Sequence, residues 1–182
     1  MPNWNEQLFL MINHFAGNSV VLDGMFRFIA NPLLIAILIF SIVFYGVILP
    51  FIAPTPKDRL LAIKRALLLA TCFLCTQTVI EILKMVVAFP RPVQVLGTVH
   101  SLIVFGNYDS FPSAHTAFAF MVATFSYQYS KRIGALLYIL AVFVGMGRIL
   151  VGVHFPLDVL VGAVVGAIVP LVLIRTFRRD SM

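Results

Sequence analysis

The sequence predicts an all-α, polytopic membrane helix bundle of about five transmembrane spans, preceded by an N-terminal interfacial helix. Two observations carry this reading. Hydrophobic residues make up 61% of the 182 residues and charged residues only 11%, with a mean hydropathy of +1.03. A soluble domain carries about a quarter charged residues, so this chain cannot cover its surface with polar groups and needs a bilayer as part of its solvent. Five stretches, near 31–50, 66–88, 113–130, 133–153 and 156–175, are also apolar over the ~20 residues that a helix needs to cross ~30 Å of hydrocarbon. The whole chain, 1–182, reads as one membrane-embedded domain with no repeat or low-complexity tract.

Taken in order, residues 4–15 place Trp4, Leu8, Met11 and Phe15 at helical spacing, with Asn5, Glu6, Asn13 and His14 between them. That pattern predicts an amphipathic helix lying in the membrane interface. The start at Met1-Pro2 lacks the basic run of a signal peptide, so the first segments serve as their own insertion signals. Residues 19–30, with Asp23 and Arg27, predict a helix leading into the first span. The breaks between spans fall at 53–59, 89–111, 130–132 and 152–156. Cys72 and Cys75 have C-x-x-C spacing, but no second Cys/His cluster accompanies them, and they read as small apolar side chains within a span.

Charge sets the orientation. Lys57, Arg59, Lys64, Arg65, Lys131, Arg132, Arg175, Arg178 and Arg179 fall on one side, which the positive-inside rule makes cytoplasmic. The N-terminus is then outside and the C-terminus inside. The net charge of +6 comes from basic pairs at the ends of apolar segments, without the interleaved aromatics of a nucleic-acid surface. The chain reads as a multi-pass membrane protein.

The remaining charges are informative. Lys84 lies 19 residues beyond Arg65, His115 lies 16 before Lys131, Arg148 lies 16 beyond Arg132 and Asp158 lies 17 before Arg175. At 1.5 Å per residue all four come to about 24–29 Å from the cytoplasmic boundary. Four helices therefore bring polar groups to one level at the outer leaflet, where intramembrane charge marks function. Lys84, Arg91 and Arg148 form a cationic cluster that calls for an anion, and Arg suits phosphate through its planar fork. Ser113 adds a hydroxyl, and the start of the third span adds free N–H groups. His115 and His154 can move protons or attack, and Asp158, four residues after His154, can hold its second nitrogen.

Three motifs occur here in order: Lys84-x6-Arg91-Pro92; Pro112-Ser113-Ala114-His115; and Gly147-Arg148-x5-His154-x3-Asp158. The chain thereby resembles the type 2 phosphatidic acid phosphatase (PAP2-like) family of membrane lipid phosphatases. It departs at Ala114, where the family has Gly, and at Gly147, where it has Ser. The resemblance implies His154 as the nucleophile of a phosphohistidine intermediate, Asp158 as its orienting partner, and His115 as acid and then base. It implies Lys84, Arg91, Arg148, Ser113 and the Ala114 N–H as ligands of a lipid phosphate, with no metal and no cofactor. Among substrates it leans to undecaprenyl diphosphate, with phosphatidylglycerol phosphate or lipid A 1-phosphate as alternatives. The branch often carries an acidic residue where this chain has Ala114. A membrane protein that binds or transports an anion stands as the non-enzyme reading, and a His115/His154 haem protein as a third.

Other polar residues read as structural. His14 and His100 lack charged partners. Glu81, one turn before Lys84, pairs with Lys84 or a backbone group. Asp109, in the stretch from Tyr108 to Phe111, is a turn or helix-entry residue. Phe118, Met121 and Phe125 are packing or lipid-contact residues.

Overall fold

The structure, a computed structural model, describes residues 3–104 and 109–179; Met1, Pro2, Tyr108 and the side chains of Arg178 and Arg179 lie outside the described residues. Helix α1 covers Asn3–Asn13. Helices α2 (Val20–Ala30), α3 (Pro32–Val43) and α4 (Leu49–Ile52), with a π-helical turn at Phe44–Ile48, form one bent rod of 33 residues. Asn31 marks the bend: its backbone leaves helical geometry and Pro32 restarts the helix, because proline suits the first turn, where an N–H has no acceptor.

Helix α5 runs from Pro56 to Val87. It begins ten residues earlier than the expected span at 66, so most of the expected 53–59 break is helical. Thr55 explains the early start. Its Oγ1 accepts from the Asp58 N–H at 3.2 Å, which caps the helix at the water-facing end. Ala88 ends it in left-handed geometry at φ 42°, and Pro90 and Pro92 prevent its continuation. After the short α6 (Pro92–Val95) come α7 (Ala114–Tyr129), α8 (Lys131–Leu150) and α9 (Pro156–Arg179). A single residue, Ser130, separates α7 from α8 and caps the latter, so the two form a tight antiparallel hairpin.

Val20–Ile52, α5, α8 and Pro156–Phe177 of α9 are long and apolar enough to cross a membrane. Helix α7, the expected third span, is shorter at 16 residues, or about 24 Å. It is the centre of the bundle. Nine of its residues are buried, and it packs against α8, α9, α5 and α3. Small residues permit that closeness. A methyl group on Gly162 or Gly166 of α9 would run into the carbonyl of Ser113, just before α7, or of Ala117 within it. This is the small-xxx-small packing of membrane helices. Outward-facing Leu, Ile, Val and Phe side chains are exposed along the rods, as a lipid-solvated surface requires.

The N-terminal helix follows the expected pattern with one reversal. Trp4, Met11 and Phe15 are exposed, consistent with a face turned to lipid. Asn5 and Asn13, which fall on the helix's polar positions, are instead fully buried against the bundle. Asn13 donates from Nδ2 to the carbonyls of His100 and Leu150, each at 3.0 Å, and accepts the His100 N–H at 2.9 Å. Asn5 Oδ1 accepts the Leu157 N–H at 2.9 Å. Buried amides are tolerated because the backbone groups they meet would otherwise lack partners. Cys72 is buried and Cys75 half-buried in mid-α5, both as free thiols.

Candidate active site

The corner between α8 and α9 holds His154. Gly152 has φ +83°, and a side chain there would meet the His100 carbonyl at 2.7 Å. Glycine therefore lets the chain turn beneath the strap near residue 100. Val151 O accepts the Leu102 N–H, and Phe9 of α1 packs on Phe155 with ring centroids 5.3 Å apart. His154 is 3% exposed and Asp158 is fully buried. Asp158 stands in the first turn of α9 and its Oδ2 accepts the Phe155 N–H at 2.8 Å, so it caps the helix that carries it.

The same oxygen lies 3.5 Å from His154 Nδ1. Between them sits a residue the sequence reading missed. The Ser110 hydroxyl donates to Asp158 Oδ2 in a short hydrogen bond and lies 3.4 Å from His154 Nδ1. Ser110 is fully buried, and its N–H donates to the Phe89 carbonyl at 2.7 Å, beside the isolated bridge of Pro90 with Asp109. Asp109 thus sits on that bridge rather than in a turn or helix entry. No local pattern marks Ser110; only pairing of the 89–91 and 109–110 segments brings it to the histidine.

The other face of the imidazole meets Arg91. Its Nη1 donates to the Val153 carbonyl at 2.9 Å and lies 3.4 Å from His154 Nε2. Burial pulls the Arg91 guanidinium down from its ordinary value, while the Asp158 and Asp109 carboxylates oppose that shift. Burial likewise pushes His154 down to about 4; Asp158 opposes and the Arg148 and Arg91 charges reinforce. The imidazole is therefore neutral at physiological pH, with Nδ1 toward the acidic side and Nε2 toward the cations.

His115 stands in the first turn of α7 and is half-buried. Arg148, His154, Arg91 and Lys84 all lie within electrostatic range of its ring. Ser113 precedes α7 and is fully buried; its N–H donates to the Asp158 carbonyl at 3.0 Å, and its hydroxyl accepts from Thr116 at 3.1 Å. The first N–H groups of α7, beginning with Ala114, have no intrahelical acceptor. Lys84 Nζ is 3.4 Å from Glu81 Oε1, the pairing expected for Glu81. Arg148 is held by Asn31, which accepts a short hydrogen bond from its Nη1; its Nε is buried without a partner.

That grip explains Gly147. A methyl group there would lie 2.8 Å from the Ala30 nitrogen and 2.9 Å from its Cα. Glycine lets the α2–α3 bend approach α8 closely enough for Asn31 to reach Arg148. Among the described residues, no group of three His, Cys, Asp or Glu side chains is arranged to hold a metal ion. His14 and His100 are exposed and stand apart from the cluster.

A model of the PAP2 superfamily matches residues 65–181. The chain is 28% identical to the bacitracin transport permease protein BcrC of Bacillus licheniformis, over 90% of this chain and 76% of that one. It is 30% identical to the undecaprenyl-diphosphatase BcrC of Bacillus subtilis (strain 168), over 94% and 83% respectively. The crystal structure of Aquifex aeolicus LpxE superposes with a TM-score of 0.77 at 30% identity, covering 94% of this chain and 95% of that one. With the family match covering well over half of its length, and the three motif segments meeting around His154, the chain belongs to the PAP2 superfamily.

Proposed function

We propose that the whole chain acts as one membrane lipid phosphatase, hydrolysing undecaprenyl diphosphate at the outer face of a bacterial-type inner membrane without a metal ion. The observation that carries the chemistry is the held imidazole. His154 has Nδ1 against Ser110 and Asp158 and Nε2 facing Arg91. Nδ1 keeps the proton, so the lone pair lies on Nε2, toward the cations.

In the proposed reaction Nε2 attacks the terminal phosphorus and the P–O bond to the lipid phosphate breaks. His115 protonates the departing oxygen. Arg91, Arg148 and Lys84, with Ser113 and the Ala114 N–H, carry the charge on the transferred phosphoryl oxygens. His115 then takes a proton from water, which attacks phosphorus, breaks the N–P bond and releases inorganic phosphate. Asp158 stabilises the imidazolium while the phosphohistidine exists.

A lipid substrate is supported by an apolar groove of about 500 Å³ between α3, α5 and α7, lined by Leu38, Tyr45, Ala70, Phe73 and Met121 among others. Met121 lies six residues, about 9 Å, below His115 along α7. A tail could enter the bundle there from the bilayer while its headgroup meets the site. Undecaprenyl diphosphate is favoured by the 30% identity to the Bacillus subtilis undecaprenyl-diphosphatase. The test is a detergent panel of undecaprenyl diphosphate, phosphatidylglycerol phosphate, lipid A and phosphatidic acid. Chelator-resistant, vanadate-sensitive release is expected, highest for undecaprenyl diphosphate and lost in His154→Ala. Undiminished turnover in both His154→Ala and His115→Ala would refute the mechanism. A different preferred lipid would refute the substrate alone.

A further inference from the structure

The end of the bundle opposite His154 carries a second built feature. The early turns of α5, the end of α7 and the end of α9 enclose a groove of about 660 Å³. Leu68, Ile174 and Phe177 supply its apolar wall; Lys64, Arg65 and Gln128 supply its polar rim. Arg65 holds its guanidinium 4.7 Å over the Tyr129 ring. Its Nε is buried without a hydrogen-bond partner, and neither Lys64 nor Arg65 is paired with an acidic side chain among the described residues. The nearest acidic side chain along α5, Asp58, is engaged by Thr55 at the helix start. Two adjacent cations therefore face a cavity with no counter-charge among the described residues.

Depth identifies what supplies it. Helix α5 has 32 residues, about 48 Å, and exceeds the ~30 Å hydrocarbon by more than two turns. Lys84, level with the catalytic cluster, and Arg65 lie 19 residues apart along α5, about 28 Å, which matches the hydrocarbon thickness. Lys64 and Arg65 thus stand at the phosphate level of the other leaflet, with Leu67 and Leu68 of the wall extending toward the bilayer interior. Leu67, two positions beyond Arg65 along α5, is 63% exposed, so the wall is continuous with the lipid-facing surface. A soluble anion would leave that wall bare, whereas a phospholipid fills both parts. Basic pockets between transmembrane helices recognise anionic headgroups by this combination.

We infer that this groove is a binding site for an anionic glycerophospholipid of the leaflet opposite the catalytic end. Its phosphodiester sits between Lys64 and the Arg65 fork, an acyl chain lies along Leu68 and Ile174, and Phe177 flanks the headgroup. Stacking on Tyr129 orients the guanidinium and leaves its edge for phosphate oxygens. The lipid would tie the ends of α5, α7 and α9 together where they converge.

The test reconstitutes the full chain in nanodiscs of phosphatidylcholine with increasing phosphatidylglycerol of the same acyl composition. Lipid retained after extraction is read by native mass spectrometry, with vanadate present to block the catalytic end. One retained phosphatidylglycerol per chain is expected, in preference to phosphatidylcholine. The Lys64→Gln/Arg65→Gln double variant is expected to weaken retention at least tenfold, Lys64→Gln alone to weaken it partially, and Arg65→Lys to keep most of it. The Lys84→Gln and His154→Ala variants are expected to retain it fully. Turnover of a short-chain substrate by the double variant reports that it is folded. Equal retention of both lipids, full retention by the double variant, loss in Lys84→Gln, or displacement by glycerol phosphate alone would each overturn the proposal.

Discussion

Ser110 offers the sharpest test of how the site is held. Its hydroxyl is fully buried, donates to Asp158 Oδ2 and lies 3.4 Å from His154 Nδ1. Replacing it by alanine removes one of the two closest donors to that oxygen, leaving the Phe155 N–H at 2.8 Å and the imidazole at 3.5 Å. The other carboxylate oxygen, Oδ1, is buried without a partner and cannot compensate. A hydrogen bond to a charged group contributes about 1.5–3 kcal/mol. Expressed in the orientation of the nucleophile, that lowers kcat by about 10- to 150-fold. Ser110 lies on the Nδ1 side of the ring, away from the cations, so KM is expected to stay within about twofold of the wild-type value. The assay is rapid-quench kinetics in detergent, measuring formation of the acid-labile phosphohistidine beside steady-state turnover. Ser110→Cys, a weaker donor of similar size, is expected to fall between wild type and alanine. In a double-mutant cycle, Ser110→Ala is expected to add little to Asp158→Asn, since both act through one contact. A folded Ser110→Ala protein with kcat within twofold of wild type would refute the positioning role.

Gly147→Ser, which installs the hydroxyl usual at this motif position, is expected to destabilise the protein by about 1–3 kcal/mol through collision with the Ala30 backbone. A thermal midpoint unchanged in detergent would show that α2 yields freely. Burial holds His154 down near 4 against an ordinary 6.5, so the unfolded chain takes up the proton first as pH falls. The stability contributed by this residue is therefore complete above about pH 6.5 and declines toward pH 4; acid titration of the unfolding midpoint in wild type and His154→Ala checks it, and parallel curves would contradict it. Ala70→Phe is expected to fill part of the apolar groove; displacing two methylene groups at ~0.8 kcal/mol each lowers kcat/KM for a long-chain substrate about tenfold or more, with a short-chain analogue unaffected. Equal losses on both substrates would place the tail elsewhere.

The sequence by itself determined the class of fold and the charged and motif residues that gather near His154. Hydrophobic length and uncompensated charge are local properties, and a lipid solvent makes them decisive, because every span must satisfy its own backbone and every buried ion needs a reason. The coincidence in depth of Lys84, His115, Arg148 and Asp158 needed only the fixed rise of a helix. What the sequence obscured depended on neighbours distant in the chain. Thr55 capping begins α5 ten residues before the apolar run does, because helix formation near the water interface follows the cap rather than hydropathy. Asn5 and Asn13 read as polar positions on an interfacial helix, yet they are buried because backbone groups of the strap, the α8 end and the start of α9 need partners. Asn31 and Ser110 carry no motif at all; a helix bend and a two-segment bridge deliver them to Arg148 and His154. Gly147 reads as a missing hydroxyl along the chain and as necessary space in three dimensions. Tertiary structure alone decided these roles, since a hydrogen bond or a clash is a property of two surfaces and a linear pattern describes only one.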